Sequence, residues 1–128
     1  MPNQDDVRRV ALSFPGASER PERFAFSVEN GGKAKDFAWV WAERTDPKKP
    51  RVANPNVLAI RVAGEKEKQF LISAVPDVFF TEPHYNGFPA VLVRLEAIGP
   101  EELRELLLEA WRIQAPKALT AEFDGAAD

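Results

Sequence analysis

Val7, Val10, Ala11 and Phe14 recur at three- and four-residue spacing and so share one face of a first helix, which Asn3 or Asp5 can cap and Phe14-Pro15-Gly16 ends. Phe24, Phe26 and Val28 then alternate with Arg23, Ala25 and Ser27, the period of a half-buried strand. Asn30-Gly31-Gly32 supplies a turn, and Phe37, Trp39 and Trp41 alternate with Ala38, Val40 and Ala42 in a second strand. That strand is apolar on both sides, which predicts a place inside the sheet rather than at an open edge. Asp46, Pro47 and Pro50 break the chain into a loop before a third strand, Val57 to Val62.

From Gly64 the pattern changes. Glu65-Lys66-Glu67-Lys68-Gln69-Phe70-Leu71-Ile72 puts a charged first turn ahead of apolar residues, as in a short helix with one solvated face. Two further strands are expected at about Val78 to Thr81 and Ala90 to Leu95. Gly99-Pro100-Glu101-Glu102 starts a last helix, with Pro in its first turn and carboxylates at its positive end. Leu103, Leu106, Leu107, Ala110 and Trp111 form its apolar stripe, and Ala115-Pro116 ends it. The predicted order is α-β3-α-β2-α: an α+β two-layer sandwich, a five-stranded antiparallel sheet with its helices on one face. Residues 1–117 are expected as a single domain and 118–128 as a mobile C-terminal tail.

At 128 residues the chain can build one core. It has no cysteine, which excludes disulfides and thiolate metal sites, and no apolar run approaches the roughly 20 residues of a membrane span. The start, Met1 to Asp6, is polar and acidic, unlike a signal peptide. A cytoplasmic protein without a membrane partner is expected.

Between two apolar runs, Thr81-Glu82-Pro83-His84-Tyr85-Asn86-Gly87 holds the only His and the only Tyr of the chain. Together with Ala11-Leu12-Ser13-Phe14-Pro15-Gly16, the aromatic strands, Phe79-Phe80 and Val91-Leu92-Val93-Arg94-Leu95, this segment resembles the MmcQ/YjbR-like proteins from Ala11 to about Lys117. The resemblance implies the same element order in a layout similar to secretion chaperones. It also implies DNA binding, proposed for that family from the shape of its projecting hairpins.

Net charge is −3, which does not favour general attraction to phosphate. The charge is nevertheless segregated, because between Lys33 and Arg61 seven basic residues stand against three acidic ones. Lys33 and Lys35 fall at one reversal, and Arg44, Lys48, Lys49 and Arg51 at the next; these six are the expected phosphate contacts, with Trp39 or Trp41 available to stack on a base. In a meander, consecutive hairpins lie at opposite ends of the sheet, so the two clusters need not share a surface.

Two alternatives use the His84 segment. Glu82, His84, Tyr85 and Asn86 could line a small-ligand pocket. Catalysis there is not favoured, for the chain has no second His, no nucleophile turn and no phosphate loop, and neither a cofactor nor a metal is expected. Phe79, Phe80, Tyr85 and Phe88 could instead form an apolar patch that pairs two copies of the chain or binds a protein partner.

Overall fold

The computed structural model describes residues 2–44 and 46–127, so that Met1, Thr45 and Asp128 lie outside the described residues. Helix α1 (Gln4–Leu12) leads through strand β1 (Ala17–Glu19) into a meander of β2 (Ala25–Asn30), β3 (Lys33–Glu43) and β4 (Val52–Arg61). Helix α2 (Glu65–Ala74) crosses to β5 (Phe79–Phe80), a single 3₁₀ turn at Pro83–Tyr85 and β6 (Ala90–Arg94). Helices α3 (Pro100–Gln114) and α4 (Lys117–Ala127) follow. All neighbouring strands are antiparallel, in the order β1-β2-β3-β4-β6-β5.

The α+β class and the antiparallel sheet match the periodicities, but the sheet has six strands rather than five. The additional one, β1, is three residues long and pairs Ala17 with Val28 through Glu19 with Phe26. Alternation cannot register over so short a run, and its pairing depends on β2 rather than on its own side chains.

Asn3 caps α1 in a reciprocal box: its side chain accepts from the Asp6 N–H, while the Asp6 carboxylate accepts from the Asn3 N–H, each at 3.0 Å. Val7, Ala11 and Phe14 are buried as their spacing required. In α3, Leu103, Leu107, Ala110 and Trp111 are buried, and the Trp111 Nε1–H donates to the Pro15 carbonyl at 3.0 Å.

β3 departs from strict alternation. Phe26 faces Ala38 and Ser27 faces Asp36, so Phe37 has no partner on β2 and forms a bulge. Phe37 and Ala38 therefore both join the core beneath the helices, whereas Trp39 and Trp41 pack on the other face of the sheet. A second irregularity pairs Val40 with Leu58 but Trp41 with Asn54, leaving Pro55, Asn56 and Val57 over on β4. Pro55, with no N–H to give to a ladder, is tolerated at such a break.

The main core lies between the sheet and the helices and includes Phe26, Val28, Leu58, Ile60, Val91 and Val93 from strands, with Leu107 and Trp111 from α3. Residues 118–128, expected as a mobile tail, are instead helical through Ala127, and Leu119 and Phe123 pack against the core. The Phe123 ring centroid lies 5.5 Å from that of Trp111 and 6.1 Å from that of Phe14. Gly16 makes room for this helix: its φ is +72°, and a Cβ there would come within 2.7 Å of Leu119 Cδ1.

Candidate nucleic-acid interface

The outer face of the sheet carries an aromatic cluster of its own. Trp41, Val57, Ala59 and Leu92 are buried there, with Trp39, Phe80 and Tyr85 packed around them. The cross-strand neighbours of Trp39 are Ala25 on β2 and Ala59 on β4. Two small partners leave the surface space that an indole needs to lie across the strands.

The chain from Thr81 to Pro89 folds over this face and fixes the indoles through their N–H groups. Trp39 Nε1 donates to the Tyr85 hydroxyl at 3.0 Å, and Trp41 Nε1 reaches Glu82 Oε1 at 3.5 Å. Glu82 also pairs with Arg51 Nη1 at 3.5 Å, and the same Arg51 nitrogen donates to the Ala42 carbonyl at 3.0 Å. Arg51 thus ties the β3–β4 arm to the His84 segment. Gly87, with φ +79°, turns the chain so that Phe88 returns toward Trp39 at 6.2 Å between centroids.

Trp39, His84, Tyr85 and Phe88 line an open cleft of about 160 Å³. Its walls are aromatic, with Tyr85 and Phe88 edge-to-face at 6.1 Å and His84 and Tyr85 at 5.7 Å. His84 and Asn86 are exposed, while Glu82 and Tyr85 are partly covered. The four residues expected around a ligand pocket therefore separate: Tyr85 and His84 line the cleft, Glu82 braces Trp41 and Arg51, and the cleft lining does not include Asn86.

Three further cations belong to this region and gave no signal as a group, because they are scattered along the chain. The Arg94 guanidinium lies 4.1 Å from the Phe80 centroid, and Arg61 lies 5.7 Å from that of Phe88. Arg61 Nε and the neighbouring segment's Thr81 Oγ1 are buried without a hydrogen-bond partner among the described residues. Lys68 is the third. Expected on a solvated helix face, it is fully buried, and its ammonium donates to the carbonyls of Tyr85 and Phe88, the second at 3.0 Å. Loss of hydration pushes its pKa below the usual lysine value, and the nearby Glu65 partly opposes this.

The expected phosphate contacts do not form one surface. Lys33 and Lys35 sit at the β2–β3 end of β3, whereas Arg44, Lys48, Lys49 and Arg51 lie in the arm at its far end. Eleven extended residues separate these ends by roughly 35 Å. Arg44, Lys48 and Lys49 are exposed and enter none of the ion pairs among the described residues. Asp36, beside Lys35, is taken by Arg20 at 2.9 Å and Arg23 at 2.7 Å. No group of three or more His, Asp or Glu side chains among the described residues is placed to hold a metal ion.

A similar fold occurs in a crystallised Deinococcus radiodurans protein containing the domain of unknown function 419. It superposes with a TM-score of 0.69 at 25% identity, covering 95% of this chain and 88% of that one. Uncharacterized proteins of Mycobacterium bovis and Mycobacterium tuberculosis are 48% identical over 129 residues, covering 96% of this chain and 96% of each relative. The YjbR family model matches residues 12–113, from the end of α1 through both tryptophans and the His84 segment to the last turn of α3. With this span matched and near-full-length relatives at that identity, the chain belongs to the YjbR family.

Proposed function

We propose that the chain binds single-stranded nucleic acid, taking a base into the Trp39–His84–Tyr85–Phe88 cleft and adjacent phosphates on Arg44, Lys48 and Lys49. The observation that carries this reading is the Arg51–Glu82 pair, which joins the basic arm to the segment forming the aromatic cleft. Aromatic stacking is tolerant of base identity, and lysine and arginine contact phosphate without reading sequence, so little sequence preference is expected. A cleft of about 160 Å³ is on the scale of one planar ring system rather than of a duplex groove. The reading narrows the expected contacts, since Lys33 and Lys35 stand too far from the cleft to share one short strand with the arm. Arg51, already engaged by Glu82 and the Ala42 carbonyl, acts as the brace.

The test is fluorescence anisotropy of labelled single- and double-stranded oligonucleotides at two salt concentrations. Single strands should bind more tightly than duplex, and three phosphate contacts give a slope of log K against log salt of about −2. Phe88→Ala, at a position 42% exposed, should weaken single-strand affinity about tenfold by removing one ring of the cleft. Lys48→Glu with Lys49→Glu should do the same and flatten the salt dependence. An absence of binding at low salt would remove the reading.

A further inference from the structure

We propose that the groove between α2 and α3 docks a basic amphipathic helix of a partner protein. It lies on the helical layer, away from the aromatic face of the sheet, and does not depend on nucleic-acid binding. The cleft has a volume of about 410 Å³, with α2 contributing Phe70 and Leu71, Val75 just beyond its end, α3 contributing Leu106, and Phe79 of β5 completing it. Phe70 is 67% exposed and Val75, just beyond the end of α2, 39%, so two large apolar side chains stand at the open side of the groove. Burial is reversed along this helix: Lys68 is buried and Phe70 is in water. An aromatic residue held out while a lysine is drawn in leaves α2 with an apolar surface that the fold does not cover.

Charge selects the occupant. Glu102, Glu105 and Glu109 line the groove along α3 at the spacing that puts them on one face, flanking Leu106. No Lys or Arg lines it, and the ion pairs among the described residues include none of the three. Arg112, one turn beyond Glu109, is engaged by Asp124 at 2.6 Å. An apolar floor with a row of carboxylates along one wall suits a helix that offers apolar anchors at i, i+3 or i+4 and i+7, flanked by Lys or Arg. The ten residues of α2 give a wall of roughly 15 Å, enough for about three turns of such a helix. A second copy docked face to face would set one row of glutamates against the other, and nucleic acid would meet the same repulsion.

The experiment uses the full chain and fluorescein-labelled amphipathic peptides carrying leucine at those spacings, in a panel that differs in register, each made with lysine and with glutamate flanks. The lysine-flanked set should contain a binder at least tenfold tighter than its glutamate-flanked counterpart. Phe70→Ser should abolish that binding, while single-strand DNA affinity stays as in the parent chain. Glu105→Lys should weaken the lysine-flanked peptide about tenfold and strengthen the glutamate-flanked one. That exchange of preference cannot come from a misfolded variant. The proposal is overturned if no peptide of the panel binds, if flank charge makes no difference, or if sedimentation shows a dimer that Phe70→Ser dissociates.

Discussion

Lys68 shows how one side chain decides the shape of a site formed by others. Its ammonium holds the carbonyls of Tyr85 and Phe88, two of the four residues lining the aromatic cleft. Lys68→Met fills similar space but leaves both carbonyls without that donor, and a loss of about 1–3 kcal/mol is expected in urea unfolding. The pH dependence has a definite sign. Burial penalises the charged form and lowers the folded pKa below the usual lysine value of 10.5, so between the two values the unfolded chain binds more protons. The stability of the parent chain relative to Lys68→Met should therefore rise with pH through that alkaline window, the neutral amine still having two N–H groups for two carbonyls. A falling difference would mean that the ammonium is stabilised where it lies. Nothing local signals this, because Glu65-Lys66-Glu67-Lys68 reads as a solvated charge run, and only the chain from Tyr85 to Phe88 closes over the fourth residue.

Among the elements, α4 is the addition whose role is easiest to measure. It has no core of its own and is held by Leu119 and Phe123 against Phe14 and Trp111, and by the Arg112–Asp124 pair. Phe123→Ala should cost about 1–3 kcal/mol, below the loss for a fully enclosed ring because Phe123 is only half-buried. It should also raise amide exchange across residues 117–127. Acid should loosen the same helix. The Arg112 guanidinium beside Asp124 holds its carboxyl below the usual aspartate value of 3.8, and the Asn3 backbone with Arg9 does so for Asp6 in the α1 cap. Both contributions are present above pH 3.8 and are lost as pH falls through the lowered values. Protection from exchange, relative to the intrinsic rate at each pH, should therefore fall at both helices below about pH 4, and Asp124→Asn should remove that pH dependence at α4 alone.

For the whole molecule, the net charge of −3 averages over two surfaces of opposite sign. The α2–α3 groove is lined by carboxylates, whereas the arm at the far end of β3 presents Arg44, Lys48 and Lys49. This separation makes the nucleic-acid reading specific about place. Lys33→Glu with Lys35→Glu should leave single-strand affinity within about twofold, since those charges lie more than three Debye lengths from the arm at physiological salt. The same reversal at Lys48 and Lys49 should cost about tenfold. Equal effects would mean that the whole basic stretch acts as one field, contrary to a site at one end of the sheet.

The sequence by itself determined the elements whose periodicity was long enough to read: α1, the meander of β2 to β4, α2 and α3, and with them the α+β class. It also singled out the tryptophans of β3 and the His84 segment, because their chemistry is unusual for this chain. Tertiary structure decided which of them meet. The bulge at Phe37 divides an evenly alternating aromatic strand between two faces of the sheet, placing Phe37 in the main core and Trp39 and Trp41 outside it. The aromatic patch expected from Phe79, Phe80, Tyr85 and Phe88 is likewise divided, with Phe79 buried under the helices and the other three on the outer face. β1 and α4 became visible only through the surfaces they complete. In each case the deciding contact joins residues distant in the chain, and periodicity reports only on neighbours.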